Sequence, residues 1–192
     1  MKVGLFFGSF NPIHIGHLIL AESVLNEVGF DEVWFVVSPH NPFKEKRTLL
    51  SEFDRFYIVE IAISDNPCFR ACNVEFNLPK PSYTIDTLNV LKSQYPTHQF
   101  SILIGEDNLV SLPKWRGYEE ILDQFGVYVY PRLESGKSEL EHKNIHRISA
   151  PIIEISATQI RDLFSKGLSA RYLVPDMVLA YISSKGFYGG YN

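Results

Sequence analysis

Two histidines three residues apart, His14 and His17, are the side chains of this sequence best suited to chemistry. They follow an apolar run at residues 3–7 that predicts a strand, and they open a helical pattern over residues 15–28. Side chains three apart on a helix share a face, and a helix N-terminus offers free N–H groups and the positive end of a dipole. The pair therefore favours a phosphate site. Two alternatives stay open. One histidine could cap the helix while the other packs against the core, or the pair could bind zinc, although the usual companion ligands of a zinc site are missing.

A second predicted helix begins near residue 156. Ser156 or Thr158 suits a helix N-cap, and Arg161, one turn inside the helix, can offer a two-point grip to phosphate oxygens. The alternative is a capped surface helix with one solvated arginine. At the first site, Gly8 permits a tight turn near a ligand, and Gly16 removes a side chain beside the imidazoles.

Strand-like and helical patterns alternate along the chain. Strands are predicted at residues 3–7, 32–37, 69–74, 100–104, 127–130 and 152–155. Helices are predicted at residues 15–28, from 51 to about 66, 83–95, 118–125, 158–166 and 175–185. This order predicts an α/β fold, a doubly wound, Rossmann-like, mostly parallel sheet with helices on both faces. We expect a single domain over residues 1–192, with a short C-terminal helical portion from about residue 156. Residues 132–143 are expected to form a polar exposed loop. Ligands of such a fold bind beyond the carboxyl ends of the strands.

Composition limits the function classes. The chain has 192 residues, 45% hydrophobic, enough for one buried core. Its net charge of -4, with scattered Lys and Arg, argues against nucleic acid. No segment approaches the roughly 20 apolar residues of a membrane span, no signal peptide is evident, and Cys68 and Cys72 favour core packing over a disulfide framework. We expect a cytoplasmic protein with no nucleic-acid or membrane partner, and a homo-oligomer stays open.

Two nucleotide-binding alternatives fail on spacing. A nicotinamide-cofactor dehydrogenase needs G-x-G-x-x-G after the first strand, which Gly4, Gly8 and Gly16 do not form. A P-loop is suggested only around Lys137, where Pro131 replaces the required glycine. Neither class therefore explains the sequence.

Residues 8–17, Gly-Ser-Phe-Asn-Pro-Ile-His-Ile-Gly-His, resemble the GxFxPxHxGH signature of the HxGH nucleotidyltransferase superfamily. Residues 155–161 resemble the ISSTxIR motif of the same group. This resemblance implies that His14, His17 and Arg161 act in catalysis on ATP phosphates. It implies a set of ATP-binding residues: Gly8, Ser9, Phe10, His14, His17, Gly105, Asp107, Ile155, Ser156, Thr158 and Arg161. Class I aminoacyl-tRNA synthetases share the His-Ile-Gly-His string, but this chain has neither the room nor the basic surface for tRNA.

Further segments resemble the nicotinate mononucleotide adenylyltransferases. Residues 38–44 are similar to a PPHK-type loop, with looser spacing, and residues 81–88 are similar to the SYTxDTL motif. Residues 104–107 and 112–115 are similar to the IGxD and LxxW motifs, and residues 172–182 are similar to the LVPxxVxxYI motif. The resemblance implies a stacking role for Trp115 on a pyridine ring, a backbone N–H from Thr84 to the ring carboxylate, and ribose contacts from Gly105 and Asp107. It implies mononucleotide contacts from Asn11, His40, Lys44, Tyr83, Thr84, Trp115 and Arg116. Taken singly, these residues could instead be core aromatics or helix caps.

The resemblance implies adenylyl transfer from ATP to nicotinate mononucleotide, which yields nicotinate adenine dinucleotide and pyrophosphate in NAD biosynthesis. It implies Mg²⁺ as cofactor, bound mainly through the ATP phosphates, so no protein residue is expected as a metal ligand. Pantetheine-phosphate and cytidylyl relatives of the same fold, and a non-catalytic nucleotide-binding module, are the alternatives.

Overall fold

A single parallel sheet organises the protein. The computed structural model of the chain describes residues 1–39, 49–133, 136 and 138–189. His40 and Lys44, predicted to bind the mononucleotide, lie outside the described residues. The sheet has six strands in the order β3-β2-β1-β4-β5-β6, all paired in parallel. The strands are β1 Lys2–Gly8, β2 Glu32–Val37, β3 Phe69–Cys72, β4 Gln99–Gly105, β5 Gly126–Tyr130 and β6 Ile145–Arg147.

Helices connect the strands and cover both faces of the sheet. Within the described residues the α-helices are α1 Ile15–Val28, α2 Glu52–Ala62, α3 Thr84–Gln94, α4 Glu106–Ser111, α5 Tyr118–Gln124, α6 Ala157–Ser165 and α7 Asp176–Lys185. Short 3-10 turns lie at Val74–Asn77, Leu112–Lys114 and Phe187–Gly189. None of the helices in this part of the chain is long and apolar enough to cross a membrane.

Strand β2 shows how the sheet divides the core. Because side chains alternate along a strand, Val33 and Phe35 pack with α1, α2, α6 and α7, whereas Trp34 and Val36 pack with α3, α4 and α5. Both faces are buried, which explains why the central strands are almost continuously apolar. The doubly wound α/β fold predicted from the sequence is confirmed.

Caps explain where several helices begin and end. The backbone of Gly29 takes a left-handed conformation (φ 70°) after α1, which glycine adopts without steric cost. Ser51 starts α2 by accepting a hydrogen bond from the Asp54 N–H at 3.1 Å. Ser156 starts α6 in the same way, accepting from the Gln159 N–H at 3.1 Å. Of the two N-caps proposed for this helix, Ser156 is therefore the correct one.

Two parts of the sequence-based assignment were wrong. The predicted strand at residues 152–155 is a loop, and the sixth strand is β6, which pairs with β5. The strand β6 is three residues long, polar and at the sheet edge, so it carries no apolar alternation. The isoleucines at 152, 153 and 155 face a large cleft instead of a partner strand. Helix α4, only six residues long, was also missed.

The strand order places a crevice between β1 and β4. The chain passes from β1 to β2 on one side and from β4 to β5 on the other. Loops that leave the carboxyl ends of two such strands diverge, and ligands of open α/β sheets bind in the gap between them. The β1–α1 loop, residues 9–14, and the start of α4 border this gap.

Candidate active site

A cleft of about 1770 Å³ opens at the carboxyl ends of β1 and β4. Ligand pockets commonly measure roughly 300–1,000 Å³, so this cleft has room for more than one small ligand. The predicted site residues that line it are Gly8, Ser9, Phe10, Asn11, His14, His17, Tyr83, Thr84, Asp107, Trp115, Arg116, Ile155, Ser156, Thr158 and Arg161. Gly105 ends β4 at its border, where an added Cβ would collide with the Asp107 carboxylate. The fold thus gathers residues spread over 150 positions of sequence.

His17 is oriented by the backbone of the β1–α1 loop. Its Nδ1 accepts a hydrogen bond from the His14 backbone N–H at 3.2 Å. In the neutral imidazole the proton must then reside on Nε2, so the ring is a hydrogen-bond donor through that nitrogen. His17 is half-buried and lines the cleft. This arrangement suits a donor aimed at an anionic oxygen.

His14 stacks on His17, with ring centroids 3.7 Å apart and planes inclined by 29°. It is only 6% exposed, and burial, helped by the nearby Arg132 charge, lowers the pKa of His14 to about 4. The ring is therefore neutral at physiological pH. Its Nδ1 is buried without a hydrogen-bond partner among the described residues. A Cβ on Gly16 would lie 3.1 Å from that nitrogen, which explains the glycine between the two histidines.

Phe10 lies beneath the histidine pair. Its ring is buried and packs edge-on against His17, with centroids 5.2 Å apart. The residue has a φ of 43°, a strained value for a bulky side chain. A Cβ on Gly8 would lie 2.8 Å from the Phe10 ring, so glycine is required there. Phe10 thus packs against the His17 ring and helps to hold it in place. A direct contact between the Phe10 ring and ATP stays a prediction.

Arg161 reaches from α6 to the β1–α1 loop. Its Nη1 donates to the Asn11 carbonyl oxygen at 2.8 Å, and its Nη2 donates to the Thr158 hydroxyl at 3.1 Å. The Asn11 side chain is itself buried, and its Oδ1 accepts from the Leu50 N–H at 3.3 Å and from the Tyr188 hydroxyl at 2.6 Å. Arg161 therefore joins the two sequence motifs physically. The contacts of Arg161 with phosphate and of Asn11 with the mononucleotide stay predictions.

Arg55, which the sequence analysis missed, anchors the loops that border the cleft. Its side chain is fully buried and donates to the carbonyl oxygens of Ser9 at 2.6 Å, Ser38 at 2.8 Å, Pro39 at 2.8 Å and Leu50 at 3.0 Å. Burial lowers the pKa of its guanidinium. The sequence does carry a signal for this burial. Arg55 lies on the same face of α2 as the buried apolar residues Ile58, Val59 and Ala62, which follow it by three, four and seven positions.

The other side of the cleft is built around the start of α3. Thr84 is the first residue of this helix, where helix geometry leaves the backbone N–H without an intrahelical acceptor. Trp115, half-buried after a 3-10 turn, lines the same region. The Arg116 guanidinium lies 4.8 Å from the Tyr83 ring centroid and 3.4 Å from an Asp86 oxygen. The aromatic side chains of Tyr83 and Trp115 and the N-terminal N–H of α3 at Thr84 therefore lie on the same wall of the cleft.

Glu75 holds this wall in place and was also missed. It is buried, and its carboxylate accepts from the Thr87 hydroxyl at 2.9 Å and the Ser82 hydroxyl at 3.0 Å. Burial raises the pKa of Glu75, and hydrogen bonds from Thr87, Ser82 and Ser38 partly oppose that effect. Glu75 lies in a 3-10 turn of only four residues, which is too short for a periodic pattern. The sequence therefore gave no indication that this glutamate is buried.

Arg132 adds a cation to the wall beyond β4 and β5. Its Nη2 donates to the Tyr130 hydroxyl at 3.3 Å, and its Nε lies 3.8 Å from an Asp107 oxygen. Arg132 was predicted at the beginning of a polar exposed loop, and it is exposed in the structure. It follows β5 by two residues and also lines the cleft. The exposed apolar side chains of Leu133 and Ile152 line the same end of the cleft.

Comparisons with known proteins agree with this geometry. The family model for cytidylyltransferase-like proteins matches residues 5–163. A relative from Cytophaga hutchinsonii, named "Probable nicotinate-nucleotide adenylyltransferase", is 53% identical over 100% of both chains. One of the same name from Flavobacterium psychrophilum is 46% identical over 98% of this chain and 99% of its own.

Solved structures share the fold. The nicotinic acid mononucleotide adenylyltransferase of Plasmodium falciparum, complexed with APC, aligns with a TM-score of 0.80 at 19% identity and covers 99% of this chain and 98% of that one. A crystal structure from Vibrio parahaemolyticus named "Putative Nicotinate-nucleotide Adenylyltransferase" aligns with a TM-score of 0.72 at 22% identity and covers 97% of this chain and 94% of that one. The chain belongs to the cytidylyltransferase-like family and, within it, to the nicotinate-nucleotide adenylyltransferases.

Proposed function

We propose that this protein transfers the adenylyl group of ATP to nicotinate mononucleotide. The observation that carries the proposal is that one cleft contains both the histidine pair at the N-terminus of α1 and a wall formed by Trp115 and the start of α3. Full-length relatives of that name at 53% and 46% identity support it. The products are nicotinate adenine dinucleotide and pyrophosphate.

The reaction needs alignment more than proton transfer. The phosphate oxygen of the mononucleotide is already anionic, so it can attack the α-phosphorus of ATP without a catalytic base. The new P–O bond forms as the bond from the α-phosphorus to the bridging oxygen breaks, and pyrophosphate leaves with that electron pair. Two mutually repelling phosphates must be held in line while charge grows on the departing oxygens. Fixed hydrogen-bond donors are suited to that work.

We assign these donors to the end of the cleft where α1 and α6 begin. His17 would donate through Nε2 to an α-phosphoryl oxygen, and neutral His14 would support its ring by stacking and contact phosphate in the same way. Ser156, Thr158 and Arg161 would face the triphosphate from α6. The N-termini of both helices add favourable dipoles for an anion.

The two nucleosides would occupy opposite ends of the cleft. Adenosine would occupy the border formed by Gly105, Asp107 and Ile155, where the Asp107 carboxylate, packed against Gly105, would accept hydrogen bonds from the ribose hydroxyls. The pyridine ring fits against Trp115, with its carboxylate at the N–H of Thr84. A backbone N–H there would donate to an anionic carboxylate oxygen, and it would repel the NH₂ donor of the amide analogue.

We propose that Mg²⁺ enters on the ATP phosphates. Within the described ranges, no three His, Cys, Asp or Glu side chains come together as a metal cage. Mg²⁺ keeps most of its waters and takes few protein ligands when phosphates are available, so the residues present fit such an ion. When bound, it would neutralise charge on the triphosphate.

A pyrophosphate-release assay with a substrate panel tests the proposal. ATP and Mg²⁺ would be supplied with nicotinate mononucleotide, nicotinamide mononucleotide or phosphopantetheine, and CTP would replace ATP in a parallel series. We expect the highest kcat/KM for ATP with nicotinate mononucleotide. Preferential use of phosphopantetheine or CTP would assign the chain to another branch of the family. Nucleotide binding without pyrophosphate release from any pair would identify a non-catalytic binding module.

A further inference from the structure

We propose that Tyr188, close to the C-terminus, is a positioning residue that holds the β1–α1 loop in its productive geometry through Asn11. The inference rests on the proposed function, because it assumes that this loop places His14 and His17 against the phosphates. Nothing in the sequence motifs points to it, since Tyr188 and Asn11 are 177 residues apart.

The contact itself is short and enclosed. The Tyr188 hydroxyl donates to Asn11 Oδ1 at 2.6 Å, and Asn11 is 6% exposed. The Tyr188 ring packs 6.1 Å from the Phe164 ring of α6, which fixes the direction of the phenol. Burial raises the pKa of Tyr188 above its usual value, against the effect of the nearby Arg161 and Arg55 guanidiniums. The hydroxyl therefore keeps its proton and remains a donor at any pH used for assay.

The same loop is held from two further directions. Arg55 donates to the Ser9 carbonyl oxygen at 2.6 Å, and Arg161 donates to the Asn11 carbonyl oxygen at 2.8 Å. Both of these bonds fix backbone atoms. Tyr188 differs because it donates to the side-chain oxygen of Asn11, and its bond of 2.6 Å is shorter than the 3.3 Å bond from the Leu50 N–H to the same oxygen. Tyr188 thereby contributes to the direction in which the Asn11 amide points. The three residues come from α2, α6 and the C-terminal 3-10 turn, so distant segments converge on one loop.

Backbone strain marks this set of contacts. The residues other than glycine that have positive φ within the described ranges are Phe10, Tyr172 and Tyr188, at 43°, 69° and 63°. Phe10 precedes Asn11 in the loop. Tyr172 precedes Leu173, whose carbonyl oxygen accepts from the Ile15 N–H at 2.9 Å at the start of α1. Such strain persists only where the surrounding structure imposes it, and it concentrates at functional sites.

Loss of the Tyr188 hydroxyl should therefore loosen alignment rather than remove a ligand contact. Asn11 precedes His14 by three residues in the loop, so a second orientation of its amide would shift the histidines relative to the phosphates. A misplacement of about 1 Å can cost up to roughly 10²-fold in rate. For Tyr188→Phe we expect kcat to fall about tenfold, whereas the KM values for both substrates stay within twofold. A merely structural role would instead lower the melting temperature and leave kcat of the folded protein unchanged.

Steady-state kinetics of Tyr188→Phe and a matched control test the proposal. Tyr181→Phe removes the same group from α7, where the ring packs 4.8 Å from Tyr57 and 6.0 Å from Phe187. Among the described residues its hydroxyl makes no hydrogen bond to the β1–α1 loop, so this variant should behave as wild type. Melting temperatures are measured alongside. A kcat for Tyr188→Phe within twofold of wild type would overturn the proposal, as would an equal loss in Tyr181→Phe.

A double-mutant cycle identifies the residue through which Tyr188 acts. In an Asn11→Ala background, Tyr188→Phe should cause no further loss of kcat, because the acceptor is gone. A further tenfold loss would contradict the assigned link. If Asn11→Ala does not fold, Asn11→Asp retains an acceptor oxygen, and Tyr188→Phe must then lower kcat again or the link is refuted. If wild type prefers another mononucleotide, the proposed function is wrong, and the same cycle run with that substrate still tests Tyr188.

Discussion

Replacing His14 by asparagine should flatten the pH dependence of stability. In the folded chain, burial lowers the pKa of His14 from 6.5 to about 4. An unfolded chain exposes this imidazole, which then binds a proton near pH 6.5. Between pH 4 and 6.5 the unfolded state therefore binds more protons than the folded state. His14 makes the folded protein progressively less stable as the pH falls through this window.

The size of the effect follows from the two pKa values. Each pKa unit is worth about 1.4 kcal/mol, so His14 should remove about 2 kcal/mol of stability between pH 7.5 and pH 5. With a urea slope of about 2 kcal/mol per molar, this corresponds to a midpoint difference of about 1 M. An asparagine does not titrate, so its variant lacks this contribution whatever its absolute stability.

Urea unfolding of wild type and His14→Asn at pH 5 and 7.5 measures the difference. Other titrating groups are common to both proteins and cancel when the two pH differences are subtracted. His146→Asn is a matched control, because it removes an exposed imidazole from the edge strand β6. We expect the control to keep the wild-type pH dependence. If His14→Asn also kept it within about 0.5 kcal/mol, the conclusion that His14 is buried and neutral would be refuted.

Four further predictions concern the cleft. His17→Ala should lower kcat by about 10² to 10³ in pyrophosphate-release assays with little change in melting temperature, and a large loss of melting temperature would instead favour a packing role. Arg161→Lys should raise the KM for ATP, because an ammonium lacks the planar fork, and an effect confined to the mononucleotide would remove it from the triphosphate site. Wild type should prefer nicotinate to nicotinamide mononucleotide by up to about 10⁴ in kcat/KM, and Trp115→Ala should weaken both equally; equal wild-type values would oppose the nicotinate assignment. Arg55→Met should cost at least about 3 kcal/mol in urea unfolding because buried carbonyl oxygens lose their donor, and a cost below 1 kcal/mol would contradict the anchoring role.

The sequence predicted the elements whose periodicity is strong. Helix α1 and strand β2 have the predicted bounds, because a long amphipathic run or a fully apolar run has only one plausible assignment. It failed at β6 and α4, where three and six residues carry too little pattern. The isoleucine-rich run at residues 152–155 was wrongly predicted as a strand, because apolar residues that line a cleft have the same sequence pattern as a buried strand. The single-domain boundaries, the cytoplasmic location and a homo-oligomer remain predictions.

The site was predictable where a short motif carries it. The predicted phosphate-binding side chains of the two motifs and the residues of the Trp115 wall line one cleft; the motif residues are Ser9, His14, His17, Ser156, Thr158 and Arg161. What the sequence could not supply are the contacts between segments far apart in the chain. Arg55 donates to a backbone oxygen 46 residues away, and Tyr188 donates to a side-chain oxygen 177 residues away. Glu75 accepts from hydroxyl groups 7 and 12 residues away, across the loop that leads into α3. Such pairings depend on the tertiary fold rather than on local spacing.

A chain of net charge -4 can hold two phosphorylated substrates because its positive potential is local and fixed. Arg55 places a buried guanidinium against the loops that border the cleft, and its described hydrogen bonds go to four carbonyl oxygens rather than to a carboxylate. Arg132 and Arg161 lie within the cleft, and α1 and α6 direct their N-termini into it. His14, by contrast, is neutral at physiological pH, so in the proposed mechanism it acts as an oriented group and not as a cation. Donors that are already held by the loop need no reorganisation when charge develops on the phosphates, which is the condition under which they stabilise a transition state most.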